Sequence, residues 1–330
     1  MLKTRITEMF GIEYPVMSAP MGLHSGGHLA AAVSQAGGLG LFGGTNPAGP
    51  DWLREQIHYI RSRTDRPFGV GFITHLMPVF PQLFEVALAE KVPVVAFSFA
   101  DPQPWLGQAK ENSMATICQV QTLAGAAQAV AAGADVLVVQ GNEAGGHTGS
   151  MGLLPLLTSV IEQFPDIPVM AAGGIASGSA LAAVLAAGAE GAWMGTAFMA
   201  TPEAVEVPET YKERIVNSTG EDTVYTQVFD ILDPAIFHIP AWPEGIAARV
   251  YNNHFVQEWH GRESELRQRL EQVVPSYLEA AQRRDPEIAA VYFGQSAASV
   301  KAVRPAAEVL RDICEQGEHI LKQRLSLLTQ

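Results

Sequence analysis

The segment from Gln140 to Gly149 has the composition of a catalytic loop. It follows a run of apolar residues and places four glycines around His147. Glycines let the backbone approach a ligand closely, and an imidazole with an unperturbed pKa of about 6.5 can act as acid or base at neutral pH. A lone loop histidine often only hydrogen-bonds the backbone, but the surrounding glycines favour a functional role. We therefore predict that His147 is a catalytic residue.

Two later turns have the composition of an anion site. Residues Ala172 to Gly178 read Ala-Gly-Gly-Ile-Ala-Ser-Gly, and Met194 to Ala197 read Met-Gly-Thr-Ala. Backbone N–H groups, the positive end of a helix dipole and the Thr196 hydroxyl can hold a phosphate without any Lys or Arg. The chain is acidic, with 21 basic and 34 acidic residues and a formal net charge of −13. A phosphate must therefore be held locally, and these turns are the predicted place.

The overall composition excludes several classes of protein. No basic run interrupts the negative charge, so a nucleic-acid partner is not predicted. Cys118 and Cys314 lack the CxxC spacing of a thiolate metal site, so we predict that both are core residues and predict no metal.

The N-terminus lacks the apolar stretch of a signal peptide, and residues 179–200, the most membrane-like segment, are broken by Glu190. We expect a cytoplasmic protein without a membrane span.

Eight short apolar runs alternate with helical patterns over the first two thirds of the 330 residues. The runs are Tyr14–Ala19, Gly38–Phe42, Phe68–Ile73, Val92–Phe97, Ala115–Val120, Asp135–Gln140, Ile167–Ala172 and Gly191–Gly195. Continuous apolar strands alternating with helices predict a parallel sheet, and eight such units predict an α/β fold of the (β/α)8 or TIM barrel type. Reacting groups in this fold follow the carboxyl ends of the strands, which is where His147 and the two glycine turns occur.

The last third of the chain has a different pattern. After Pro202, charged helical stretches interrupted by prolines predict a mainly helical subdomain inserted after strand eight. The stretch from Pro305 to Leu328 has the spacing of one amphipathic helix, which would return to complete the barrel as its eighth helix. We therefore predict a barrel formed by residues 1–204 and 300–330, and a helical subdomain formed by residues 205–299.

Several motifs together resemble those of the nitronate monooxygenases, formerly called 2-nitropropane dioxygenases, within a wider family of FMN-dependent barrels. The matching stretches are Pro15–Gly22, Ala36–Gly40, Arg66–Val70, Gln119–Thr122, Gln140–Gly149, Ala171–Ile175, Met194–Thr196 and Arg304–Ala306. They are spread over nearly the whole chain. The resemblance implies a TIM barrel whose cofactor is FMN.

The resemblance also implies roles for particular residues within these stretches. The flavin ring would be lined by Ala19, Met21 and Gly22, with Gln119 and Gln140 nearby as hydrogen-bonding side chains. The ribityl chain and the phosphate would be held by Gly145, Gly173, Gly174, Gly195 and Thr196. His147 falls at the family's catalytic histidine, in agreement with the prediction from the composition of its loop.

Two positions depart from the family pattern, and three histidines are less usual. Many relatives carry Asn where this chain has Gly71, which weakens one flavin contact, and Arg where it has Ser179. His24, His28 and His75 lie near predicted strand ends. We interpret His28 as a surface residue, whereas His24 and His75 either shape a substrate pocket or lie on the surface.

The resemblance implies that the protein oxidises alkyl nitronates, with the flavin passing electrons from the bound anion to O2 and leaving a carbonyl compound and nitrite. Protonated His147 can pair with the nitro oxygens, and neutral His147 can remove the α-proton of a nitroalkane. The sequence is compatible with both roles, and with a monomer or a homodimer.

Two other functions remain open at this stage. An NAD(P)H-dependent flavin reductase of quinones or enoyl thioesters would use the same fold and cofactor, and the lack of a GxGxxG dinucleotide motif after a strand decides little against it. A flavin-free lyase or isomerase would hold a phosphorylated substrate in the same anion site. Such enzymes usually place a Lys or several carboxylates at strand ends, whereas Lys91 and Lys110 fall in predicted helices or turns.

Overall fold

Eleven strands are present in residues 2–328, the part of the chain that the computed structural model describes. They are β1 Val16–Ser18, β2 Gly40–Gly43, β3 Phe68–Ile73, β4 Val94–Ser98, β5 Ala115–Val120, β6 Val136–Gln140, β7 Gly146–Thr148, β8 Val169–Ala172, β9 Ala192–Met194, β10 Thr223–Thr226 and β11 Ala247–Tyr251. Eight of them form a parallel sheet in the order β1-β9-β8-β6-β5-β4-β3-β2. A bridge between Met17 and Leu39 closes this sheet into a barrel. The predicted TIM barrel is confirmed, and each predicted apolar run overlaps one barrel strand.

The described residues also form fifteen α-helices. They are α1 Arg5–Phe10, α2 Gly27–Gln35, α3 Gly49–Arg63, α4 Pro81–Ala89, α5 Gln103–Glu111, α6 Leu123–Ala131, α7 Leu153–Gln163, α8 Gly178–Ala186, α9 Thr196–Met199, α10 Glu209–Asn217, α11 Asp233–Phe237, α12 His254–Trp259, α13 Glu263–Gln268, α14 Leu270–Gln282 and α15 Ala306–Leu328. The predicted C-terminal helix is α15, which packs between α8 and α2 and completes the ring of helices. None of the helices within residues 2–328 has both the length and the apolar character needed to cross a bilayer. Residues 1 and 329–330, which we assigned to the barrel, lie outside the described part.

The amino end of the barrel is closed by α1. Apolar side chains from alternate strand positions fill the barrel interior, and Ile6 of α1 belongs to the same buried cluster. Arg5 pairs with Glu190 at 2.7 Å, and its guanidinium donates to the carbonyl oxygens of Pro165 and Asp166, which precede β8. The carboxyl ends of the strands are therefore the open end of the barrel.

Residues 205–299 contain helices α10 to α14 and two strands that the sequence did not predict. β10 and β11 pair antiparallel, and β11 also pairs with β7, which lies inside the predicted Gln140–Gly149 loop. The pairing was missed because β7 is short, polar and glycine-rich, and its partner strand is distant in sequence. A separate buried cluster around Phe229, Phe255 and Trp259 forms the core of this region. The sheet ties the segment after β6 to the inserted part of the chain.

Candidate active site

A cavity of about 520 Å³ lies at the carboxyl ends of the barrel strands. This volume falls within the range of small-molecule sites, which is roughly 300–1,000 Å³. The cavity wall includes all the residues predicted for the site: Ala19, Met21, Gly22, Gln119, Gln140, Gly145, His147, Gly173, Gly174, Gly195 and Thr196. They meet there because parallel strands of a barrel end at the same edge.

The turns after β8 and β9 expose backbone to the cavity. Gly173 and Gly174 have φ values of +98° and +72°, a region that side chains with a Cβ rarely adopt. A Cβ on Gly173 would also lie only 2.9 Å from the carbonyl oxygen of Gly141. Gly195 is the N-cap residue of α9 and provides no side-chain cap, and the Thr196 hydroxyl accepts a hydrogen bond from the N–H of Gly294 at 3.0 Å. The hydroxyl hydrogen of Thr196 is thus left to donate to an anion.

Gln140 is held in place by hydrogen bonds at both ends of its amide. Its Oε1 accepts from Gln121 Nε2 at 2.9 Å, and its Nε2 donates to the carbonyl oxygen of His147 at 3.1 Å. Gln140 is buried, so these bonds satisfy a polar group that would otherwise be costly to bury. Gln140 therefore connects the end of β6 to the backbone of β7, the strand that carries His147.

His147 forms a buried pair with Asp230. The distance from its Nε2 to Asp230 Oδ1 is 2.8 Å, and the side chains are only 12% and 7% exposed. A carboxylate only accepts hydrogen bonds, so Nε2 is the donor and Nδ1 is the ring nitrogen left to accept a proton. The indole of Trp242 stacks on the imidazole, with ring centroids 3.4 Å apart and planes 13° from parallel. These contacts fix the orientation of the imidazole.

Asp233 lies beside this pair. Its Oδ2 accepts a hydrogen bond from Trp242 Nε1 at 3.0 Å. Burial raises the pKa of Asp233 to about 6, and the hydrogen bond from Trp242 opposes part of that rise. One ligand atom from each of His147, Asp230 and Asp233 lies within 4.8 Å of the others, a set that can coordinate a divalent cation. In the structure the same side chains are engaged with one another and with Trp242.

The three additional histidines have different surroundings. His24 lines the cavity with its ring centroid 5.8 Å from that of Tyr292, and burial lowers its pKa to about 4. His75 lies behind Trp242, with ring centroids 4.8 Å apart, and burial lowers its pKa to about 4 as well. Both His24 and His75 are therefore neutral at pH 7. His28, which we interpreted as a surface residue, is half-buried, and its ring centroid lies 4.0 Å from that of Tyr59.

The two departures from the family pattern lie at different distances from the site. Gly71 lines the cavity, and a Cβ there would lie 2.3 Å from Cγ of Pro20. An Asn at this position would require Pro20 to move. Ser179 lies in the first turn of α8, where its hydroxyl is 3.0 Å from that of Ser177, the N-cap residue. Ser179 thus takes part in the polar contacts at the start of this helix.

Sequence reasoning missed the side chains that residues 205–299 contribute to the site. Asp233, Trp242 and Tyr292 line the cavity, and Asp230 supports His147 from behind. One local signal was present, since Asp230 stands within the apolar sequence Val-Phe-Asp-Ile-Leu. Acidic residues are rarely buried without a partner, so an Asp in such a run indicates a paired carboxylate.

Comparisons with known proteins agree with this architecture. The family model for nitronate monooxygenase matches residues 3–81 and 76–316. A probable nitronate monooxygenase of Staphylococcus aureus (strain MRSA252) is 30% identical over 371 residues, covering 98% of this chain and 99% of that protein. The (3aS,4S,5R,7aS)-5-hydroxy-7a-methyl-1-oxo-octahydro-1H-indene-4-carboxyl-CoA dehydrogenase of Mycobacterium tuberculosis is 36% identical over 231 residues. That match covers 69% of this chain and 64% of the length of the relative.

Two solved structures are similar over almost the entire chain. FabK from Thermotoga maritima has a TM-score of 0.86 and 34% identity, covering 99% of this chain and 100% of that one. The nitroalkane oxidase from Streptomyces ansochromogenes has a TM-score of 0.81 and 29% identity, covering 97% and 99% of the two chains.

Fold, site and comparisons together define the class of protein. The chain is an enzyme, a flavin-dependent oxidoreductase built on a TIM barrel. It belongs to the nitronate monooxygenase family. The family predicted from the sequence motifs is confirmed.

Proposed function

We propose that the protein uses FMN to oxidise alkyl nitronates with O2, forming a carbonyl compound and nitrite. The observation that carries the proposal is the position of His147. It lies on the wall of the same cavity as the glycines predicted to bind the cofactor, and it is paired with the buried carboxylate of Asp230. An oriented imidazole beside a flavin site can donate to the nitro oxygens of a nitronate or take the α-proton of a nitroalkane.

Three features of the cavity support FMN as the cofactor. The backbone around Gly173 and Gly174, together with the Thr196 hydroxyl, offers donors to a phosphate where no cationic side chain is needed. Met21 and Gly195 lie side by side, since a Cβ on Gly195 would be 3.3 Å from Met21 Sδ, and together with Ala19 they offer a surface for the flavin ring. Gln119 and Gln140 supply amide groups on the same wall. We assign the phosphate and the ring to these two regions.

When bound, FMN supplies the acceptor that takes electrons from the nitronate and passes them to O2. His147 holds its Nε2–H toward Asp230, so Nδ1 is the atom that takes the α-proton from a neutral nitroalkane. When Nδ1 is protonated, it donates instead to the nitro oxygens of a nitronate. The stacked indole of Trp242 covers one face of the imidazole and keeps water from it.

The proposal is tested with protein loaded with FMN. Nitronates of nitroethane and 2-nitropropane are supplied, and O2 consumption, nitrite and carbonyl product are measured together. We expect nitrite to appear with turnover of the nitronate. A protein that binds FMN and consumes nitronate without releasing nitrite contradicts the proposed reaction, and a protein that gains no flavin absorbance on incubation with FMN contradicts the cofactor.

A second candidate is an NAD(P)H-dependent reductase of quinones or enoyl thioesters. Its support is the 34% identity to FabK and the 36% identity to a dehydrogenase named for a carboxyl-CoA substrate. Anaerobic mixing with NADH and with NADPH separates the two functions. Rapid bleaching of the flavin by either nucleotide, together with absent nitrite release, favours the reductase.

We also propose that residues 205–299 form a subdomain that completes the active site. It supplies Asp233, Trp242 and Tyr292 to the cavity wall, and Asp230 as the partner of His147. Its sheet strand β11 pairs with β7 and so positions His147.

A further inference from the structure

The described residues that line the cavity offer no permanently cationic side chain to an anionic substrate end. Among the described residues that line it, none is Lys or Arg, and the ionisable ones include Asp233, His24 and His147. Asp233 is the carboxylate among these described lining residues, and its Oδ2 accepts a hydrogen bond from Trp242 Nε1 at 3.0 Å. His147 is engaged at the reacting end. A second carboxylate in this cavity would be desolvated without a partner and repelled by Asp233.

Two segments of the cavity wall are mainly apolar, with Gln82 as a polar lining residue between Phe80 and Leu83. Leu76, Phe80 and Leu83 follow β3, and Phe237 and Ile239 follow the start of α11. We call this set of five residues the apolar arm. His75 and Trp242 are in ring contact at 4.8 Å, which holds the two chain segments side by side. Phe237 is 43% exposed, so part of the apolar surface remains uncovered at the cavity.

We propose that the apolar arm binds the alkyl chain of the substrate, so that the enzyme selects nitronates with an uncharged chain of several carbons over those whose chain ends in a carboxylate. This inference rests on the proposed function, in which His147 meets the nitronate group. The chain then extends past Trp242 toward Leu76 and Phe237. Transfer of each methylene from water into the arm strengthens binding by about fourfold.

The first test uses a series of nitronates prepared from nitroethane, 1-nitropropane, 1-nitropentane and 5-nitropentanoate. We call the rise of kcat/KM with chain length in this series the ladder. The value of kcat/KM is measured from nitrite release, and the dissociation constant is measured anaerobically from the change in flavin absorbance. We expect kcat/KM to rise along the neutral series by about fourfold per methylene until the arm is filled. The carboxylate compound should bind at least about tenfold more weakly than 1-nitropentane nitronate. A flat ladder, or equal binding of the two five-carbon compounds, overturns the inference.

The second test supplies the missing charge. Ile239 is half-buried and follows α11 in a stretch without regular secondary structure. Ile239→Lys should raise the ratio of carboxylate to neutral kcat/KM by about tenfold or more, because the ammonium pairs with the carboxylate. Ile239→Gln is the matched control of similar length without charge, and it should leave that ratio within about threefold of the parental value. Equal ratios in the two variants contradict the placement of the chain.

The third test compares two apolar truncations, Phe237→Ala in the arm and Val205→Ala outside the cavity as its control. Val205 is 53% exposed and is separate from the arm, so the parental ladder should be retained. Phe237→Ala should flatten the ladder at its longest members. A ladder unchanged in Phe237→Ala places the chain elsewhere.

The anaerobic dissociation constants separate failure of this inference from failure of the proposed function. If nitroethane nitronate yields nitrite but longer chains gain nothing, the arm is refuted and the proposed function stands. If no nitronate yields nitrite but binding still strengthens with chain length and weakens with a carboxylate, the reaction is refuted and the preference of the arm stands.

Discussion

The two halves of the cavity wall are built from different parts of the chain. The barrel half presents glycine backbone at Gly173, Gly174 and Gly195, and none of its described lining residues is Lys or Arg. The half from residues 205–299 presents side chains, among them Asp233 and Trp242. Backbone N–H groups exposed at glycines can bind a phosphate, whereas side chains that differ in size and charge can distinguish one substrate from another. We propose a division of labour in which the glycine turns of the barrel bind FMN, while the inserted region orients His147 and shares the substrate wall with the arm residues that follow β3.

His147 lies where the two halves join. It belongs to β7, which follows the barrel strand β6, yet β7 pairs with β11 of the inserted region. Tyr225 donates its hydroxyl to the carbonyl oxygen of Thr148 at 2.9 Å, and Arg249 Nε donates to that of Asn142 at 2.8 Å. The orientation of His147 thus depends on both halves, and variants on each side should separate flavin binding from turnover.

The largest effect is expected from His147→Ala. Turnover should fall by about 10² to 10⁴, as is typical when a general base or charge partner is removed. Flavin content should remain, because the predicted phosphate contacts come from other strands. If His147 is a base, turnover of a neutral nitroalkane should fall much more than that of preformed nitronate, which has already lost its α-proton. Parental rates on both substrates would assign the chemistry to another residue, with His24 the next to examine.

Asp230→Asn should lower kcat by about 10- to 100-fold, less than removal of the imidazole itself. Asn still accepts a hydrogen bond from His147 Nε2 but no longer stabilises a protonated ring. Flavin affinity, measured by titration of the apoprotein with FMN, should stay at the parental value. Asp233→Asn is the matched control in the same cluster, since it leaves the His147–Asp230 pair intact. Loss of FMN in Asp230→Asn would contradict the division between the two halves.

Gly174→Val should weaken FMN binding by at least about tenfold, because a β-branched residue at a φ of +72° costs roughly 1–3 kcal/mol and displaces the backbone N–H groups. The fraction that retains flavin should turn over at nearly the parental rate. Gly188→Val is the strain control, since Gly188 has a φ of +99° and lies outside the cavity. The control should lose stability but keep its FMN affinity, and unchanged occupancy in Gly174→Val would move the phosphate to another site.

The last prediction concerns the free energy of unfolding, which the buried Asp233 carboxylate lowers at neutral pH. Its folded pKa of about 6 lies above the ordinary value of 3.8, so the folded state holds the proton more tightly than the unfolded state. The resulting destabilisation is absent below a pH of about 3.8 and complete above about 6. Asp233→Asn should therefore stabilise the protein by about 1–3 kcal/mol at pH 7.5 and by much less at pH 4.5. Urea unfolding at both pH values measures this, and an equal gain at the two would argue against a titrating Asp233.

The barrel itself was predictable because its determinants are local. Each parallel strand is buried on both faces and therefore appears as a continuous apolar run, as in Phe68–Ile73 and Ala115–Val120. Glycines that expose backbone at strand ends are equally visible, and so is a histidine placed among them. The amphipathic spacing of α15 identified the last helix for the same reason.

The tertiary structure decided what the local pattern could not. Asp230 stands 83 residues after His147, and only the fold brings their side chains to 2.8 Å. β7 takes its strand conformation from β11 rather than from its own polar, glycine-rich sequence. The charge and shape of the cavity also arise from segments far apart in the chain, since Leu76 and Phe237 both line it. A sequence thus determines which residues are able to react, and long-range packing determines their partners, their orientation and the substrate they meet.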